Sequence, residues 1–167
     1  MVINMLDYTI RPIREDELCL LEDFLYEAIF QRDENNLLPR DVIKQPELNV
    51  FIAGFGKPDD YCLVADCGGK IAGAVWARIL SGDVKGYGNV DNTTPEFAIS
   101  LYKEYRGHGI GTALMRAMLE LLKAKGYEKT SLAVQKDNYA LKMYQGVGFE
   151  IVGENDEEYI MVCRLNQ

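Results

Sequence analysis

The run Arg106-Gly107-His108-Gly109-Ile110-Gly111-Thr112 sets three glycines at alternate positions directly ahead of an apolar stretch with helical spacing. Glu96 to Leu101, just upstream, reads as a strand, so a strand enters a glycine-rich turn and the turn opens a helix. A turn of this kind leaves backbone N–H groups without acceptors beside the positive end of the helix dipole, which suits a phosphate or diphosphate. Glycine lets the backbone approach such an anion closely. Spacing excludes two other phosphate-binding patterns. No Lys follows the glycines as a P-loop needs, and Gly107, Gly109 and Gly111 do not form G-x-G-x-x-G. A helix start that merely needs flexible residues accounts less well for three alternating glycines preceded by Arg.

A second informative segment is Leu132 to Phe149. It reads as a strand, then a short helix capped by Asn138, with Tyr144 inside it and Gly148-Phe149 at its end. The two segments resemble the GNAT acetyltransferase superfamily. Arg106, Gly109 and Gly111 match its pattern of Arg or Gln, two residues, Gly, one residue, then Gly or Ala. The Asn-capped helix with its Tyr and Gly-Phe ending resembles the family's late strand–helix unit. The resemblance implies that the turn from Arg106 through Gly107, His108, Gly109, Ile110 and Gly111 to Thr112 holds the diphosphate of coenzyme A. It also implies that Ile99 and Leu101 hydrogen-bond the pantetheine arm, that Asn138 contacts that arm, and that Tyr144 reaches the sulfur as general acid. The expected cosubstrate is acetyl-CoA, with no metal. The expected reaction is attack of a primary amine, from a small molecule or peptide, on the thioester. The alternatives are a non-catalytic coenzyme A-binding sensor module and a nucleotide-binding protein, the latter disfavoured by the missing Lys-Ser/Thr pair.

An ammonium acceptor must lose a proton. Glu96 reads equally as the general base and as an exposed charge at a strand end. Arg106 reads as a phosphate partner or a solvated turn residue. Phe30, Gln31, Trp76, Tyr87 and Asp91 are candidates for the acceptor side, although Trp76 more often signals core packing.

These groups need a frame. Tyr8 to Pro12 reads as a strand. Asp16 reads as the cap of a helix from Glu17 toward Gln31, and Arg40 to Phe55 as a less regular helix broken at Pro46. Tyr61–Cys67 and Lys70–Leu80 flank Gly68-Gly69 as a hairpin. Gly109 to Lys125 is a strong amphipathic helix stopped by Gly126, Thr130 to Val134 is a strand, and Phe149–Val152 with Tyr159–Leu165 forms a closing hairpin. The order β-α-α-β-β-β-α-β-α-β-β implies an α+β fold, GNAT-like, with a mixed, mostly antiparallel twisted sheet flanked by helices.

The length of 167 residues and 48% apolar content suit a single domain over 1–167. The acidic excess, 26 Asp and Glu against 18 Lys and Arg, repels phosphate backbones and excludes nucleic acid as a first guess. Cys19, Cys62, Cys67 and Cys163 form no C-x-x-C pair and read as free thiols. No leader or long apolar run is visible, so a cytoplasmic location without membrane contact is expected. His108, the one histidine, has no metal-ligand spacing around it and no triad surroundings. Dimerisation through the sheet edge or the C-terminal hairpin stays open.

Overall fold

The computed structural model describes residues 7–165. Seven strands form one sheet in the order β1-β2-β3-β4-β5-β7-β6. The strands are β1 (Thr9–Pro12), β2 (Tyr61–Cys67), β3 (Lys70–Arg78), β4 (Glu96–Leu101), β5 (Lys129–Gln135), β6 (Glu150–Glu154) and β7 (Glu158–Arg164). The helices are α1 (Leu20–Ala28), α2 (Pro46–Asn49), α3 (Ile110–Ala124) and α4 (Ala140–Gly146). The element order is the one expected from the sequence.

Local chemistry explains the strongest elements. Gly68 and Gly69 both have positive φ, 62° and 98°, as a two-residue turn of the I′ type requires between β2 and β3. Along α3, Ile110, Leu114, Met115, Met118 and Leu122 are buried on one face. Beyond its end, Gly126 adopts φ 92° and Tyr127 N–H reaches back to Leu122 O at 3.1 Å, which stops the helix.

Two expected helices come out shorter. Ahead of α1, Glu15–Glu17 forms a 3-10 turn, because the Glu17 carboxylate is committed to Arg11 (2.7 Å) and to the Arg14 N–H (2.8 Å). The second helix divides into a 3-10 segment, Arg40–Lys44, and α2. Gln45, which precedes Pro46, is extended at ψ 136°, as a pre-proline residue prefers.

Apolar layers cover both sheet faces. α1, through Leu21, Phe24 and Leu25, and Ile43 and Phe51 on either side of α2 pack with Val64, Ala74 and Trp76 on one face. α3 packs with Val75, Phe97, Leu132, Phe149 and Met161 on the other, and α4 leans on that layer through Leu141, Met143 and Tyr144. A fully buried large apolar side chain contributes about 2 kcal/mol, so these two layers hold the sheet rigid beneath the site.

β4 and β5 are parallel, and only Glu96↔Ser131 pairs them. Beyond that pair the strands part, and the fork between them opens toward the C-terminal end of β4. Pro95 O accepts the Ser131 N–H across the junction (3.1 Å), while Tyr102 N–H bonds Ala72 O on the β3 side (2.9 Å). Alternation along a strand therefore turns the backbone groups of Phe97, Ile99 and Leu101 toward the fork.

Candidate active site

A cleft of about 980 Å³ occupies the fork. Ile99, Leu101, Arg106, Gly107, Gly109, Gly111 and Thr112 form one wall, and Asn138, Met143 and Tyr144 face them from the β5 side. Residues from the end of α1 onward, Phe30 and Gln31 among them, form its roof.

The floor of positive character comes from the turn. Arg106 N–H bonds Lys103 O (3.2 Å) and Ala113 N–H bonds Gly109 O (3.1 Å). Between them, the amides of residues 107–112 have no acceptor among the described residues. Gly107 (φ 80°) and Gly109 (φ 84°) hold this backbone in left-handed conformations that cost other residues strain, and open space faces both. Gly111 lies inside α3 and carries no such strain. A Cβ there would make ordinary contact with Leu101 Cδ1 (3.4 Å) and Met143 Sδ (3.5 Å), so the position has room for a small side chain. A run of free amides at a helix N-terminus can bind a diphosphate. The open edge of β4 can take an extended chain as an added strand.

Other expected site residues sit as follows. Asn138, expected as the N-cap of α4, lies one residue ahead of the N-cap Tyr139, and its side chain accepts the Ala140 N–H (2.9 Å). The Tyr144 ring lies 6.1 Å from the Phe149 ring, and no described residue hydrogen-bonds its hydroxyl. Burial pushes that phenol up to about 12. Arg106 spends its guanidinium on Glu27 (3.0 Å) and on Leu101 O (3.1 Å), leaving Nη1 for any anion. The His108 side chain is exposed, and that of Ile110 is buried in the core while its amide belongs to the free run.

Glu96 lies at the foot of the fork, off the cleft wall and only 3% exposed. Gly88 N–H donates to its Oε2 at 2.9 Å, and Oε1 has no partner, nor does Ser131 Oγ beside it. Burial raises this carboxyl to about 7, partly opposed by the Gly88 bond. The loop over it depends on two small residues. A Cβ at Gly86 would meet Glu96 Oε1 at 2.0 Å, and one at Gly88 would meet the β5 backbone at Leu132 C at 2.5 Å.

Of the acceptor-side candidates, Phe30 and Gln31 line the cleft. Trp76 is fully buried, its Nε1–H bonded to Phe51 O (3.1 Å), which makes it core. Tyr87 stacks near Phe51 (6.4 Å), and Asp91 pairs with Lys129 (3.3 Å). Sequence reasoning missed Glu27, the partner of Arg106, and the Arg32–Asp137 ion pair. Both join residues far apart in the chain, and no local pattern marks them. Among the described residues, no group of His, Cys, Asp and Glu is placed to hold a metal, and no helix is long and apolar enough to cross a membrane.

Comparison with known proteins bears on the fold and the family. Mycothiol acetyltransferase of Corynebacterium aurimucosum is 34% identical over 86 residues, covering 51% of this chain and 26% of the relative. N-acetyltransferase family 8 member 2 of Rattus norvegicus is 32% identical over 91 residues, covering 54% and 38%. The chain thus spans well under half the length of these curated relatives. The crystal structure of PaiA N-acetyltransferase from Thermoplasma acidophilum, in complex with coenzyme A, superposes with a TM-score of 0.69 at 19% identity, covering 95% of this chain and 99% of that one. The acetyltransferase of GNAT family from Streptococcus pneumoniae gives 0.68 at 22%, covering 96% and 100%. At such identities these two structures speak to the fold alone. The family model described as the Acetyltransferase (GNAT) family matches residues 23–149, which take in most of α1, the fork, the glycine turn and α4, so this chain belongs to the GNAT acetyltransferase family.

Proposed function

We propose that the chain transfers an acetyl group from acetyl-CoA to a primary amine of a small molecule or peptide, by direct attack of the amine on the thioester. One observation carries this reading: the free amides of residues 107–112 are continuous with the open edge of β4, in the same cleft as Tyr144. The amides suit a diphosphate, and the dipole of α3 adds to their positive field. The backbone at Ile99 and Leu101 aligns an extended arm, which converts much of the entropic barrier into binding. When bound, the thioester supplies the activated acyl carbon. A β4 backbone N–H near Leu101 donates to the oxyanion, a contribution of about 3 kcal/mol for one such donor.

Tyr144 is the proton donor in this reading. Its phenol, at about 12, stays protonated at neutral pH. Net transfer to a thiolate of pKa about 8.5 is uphill, so the hydroxyl donates a hydrogen bond to the sulfur as the C–S bond breaks, and any proton it passes on is replaced by the one the attacking amine loses. Glu96 is the general base and acts through water, since its carboxyl lies behind residues 86–88. A value near 7 suits a base working at neutral pH.

The test is an amine panel with acetyl-CoA, reading free thiol, alongside calorimetric titration of coenzyme A. Amine-dependent thiol release supports the reading. Tight binding without release with any amine would leave a coenzyme A sensor module instead. No affinity for coenzyme A sinks both.

A further inference from the structure

The roof of the cleft is fastened unequally on its two sides. On the β4 side, α1 is pinned to the strand and the turn after it. Ser100 Oγ donates to Phe24 O (2.6 Å), Tyr102 Oη to Asp23 (3.0 Å) and Arg106 to Glu27 (3.0 Å). After α1 the chain turns outward over the fork and closes on itself. Leu38 N–H donates to Gln31 Oε1 (2.7 Å), the Tyr26 hydroxyl donates to Leu38 O, and Asp33 accepts the Asn35 N–H (2.9 Å). The loop is therefore a preformed flap anchored at the β4 edge.

Its polar tie to the β5 side is Arg32. The guanidinium meets Asp137 through Nε (2.5 Å) and Nη2 (2.5 Å), and Nη2 also reaches Gln135 Oε1 (3.1 Å). The same guanidinium lies 5.0 Å from the Phe30 ring centre, so it stiffens the roof residue beside it. Among the described residues, no other hydrogen bond or ion pair joins residues 29–38 to residues 129–165. Asp137 immediately precedes Asn138 on the opposite wall. The pair thus spans the mouth of the cleft, and each partner is 55% exposed. Exposed pairs are weak, so this tie opens easily.

We propose that Arg32 is a positioning residue of the acyl-transfer site: by tying the roof to Asp137 it sets the width of the cleft mouth and limits water's access to the acyl group. This rests on the reading of the cleft given above, yet part of its test does not need that reading. Arg32 and Asp137 touch no reacting atom here. Their effect passes through Phe30 and Gln31 in the roof and Asn138 on the β5-side wall.

The experiment compares the wild type with Arg32→Gln, Asp137→Asn and the exchanged pair Arg32→Asp with Asp137→Arg. Amide hydrogen exchange of residues 29–38 is read on unliganded protein, and acetyl-CoA hydrolysis without amine is read by thiol release. Each single variant should speed exchange in 29–38 by roughly two- to five-fold, the range an exposed pair permits. Hydrolysis should rise by a similar factor, and the exchanged pair should recover most of both. Raising NaCl to 1 M should move the wild type toward the single variants, because screening weakens exposed pairs. Unchanged exchange in both single variants overturns the proposal. So does faster exchange with unchanged hydrolysis, because the roof then moves without governing the site. If no variant binds coenzyme A at all, the functional reading fails, while the exchange data still decide whether the tie holds the roof.

Discussion

Replacing Glu96 by Gln offers a test in which the structure supplies the magnitude. The carboxyl is buried at the only β4–β5 pair, accepts one hydrogen bond from Gly88 and leaves Oε1 unpartnered. Burial raises it from 4.5 to about 7. A carboxyl raised on folding binds its proton more tightly in the native state, so native stability is highest below the unfolded value and is lost as pH climbs through the folded one. The window runs from 4.5 to about 7, and at about 1.4 kcal/mol per pH unit the loss amounts to about 3 kcal/mol by pH 8. Gln keeps an oxygen for the Gly88 N–H and carries no charge to desolvate. Urea unfolding of both proteins from pH 4.5 to pH 8 should show the variant gaining on the wild type by about 3 kcal/mol across that range. Taking the difference cancels the groups the two proteins share. A flat difference would refute the reasoning, because it would mean that Glu96 titrates alike folded and unfolded. The same variant bears on catalysis: the wild-type acidic limb of kcat/KM should lie near 7 and vanish in Glu96→Gln.

Three further outcomes are expected. Tyr144→Phe should lower kcat by roughly ten- to thousand-fold with the Kd for acetyl-CoA unchanged, read by steady-state kinetics and calorimetry. Gly109→Ala, at φ 84°, should cost about 1–3 kcal/mol in a thermal or urea melt and weaken coenzyme A binding, since a left-handed alanine distorts the amide run. Trp76→Ala should cost about 3–5 kcal/mol, because the ring is wholly buried and its Nε1–H leaves Phe51 O without a donor. A loss below 1 kcal/mol would place that side chain outside the core.

Local signals were enough for much of this protein. The Gly68-Gly69 turn, the apolar face of α3 and its stop at Gly126 all depend on neighbours within a few residues, and they form as the sequence indicates. The same holds for the glycine turn, where glycine makes the φ values near 80° at Gly107 and Gly109 accessible without strain. Interactions across the chain decided the rest. Glu17 tightens its turn because Arg11 is within reach, 6 residues earlier in the chain. Glu96 reads from sequence as a strand-end charge or a base, and only the fold of residues 86–88 over it buries the carboxyl. Arg106 finds Glu27, and Arg32 finds Asp137, across separations of 79 and 105 residues. Periodicity and turn chemistry act over a few residues and so can be read along the chain. Burial, charge pairing and the width of a cleft depend on which surfaces meet, and that is settled only when the sheet forks and the helices close over it.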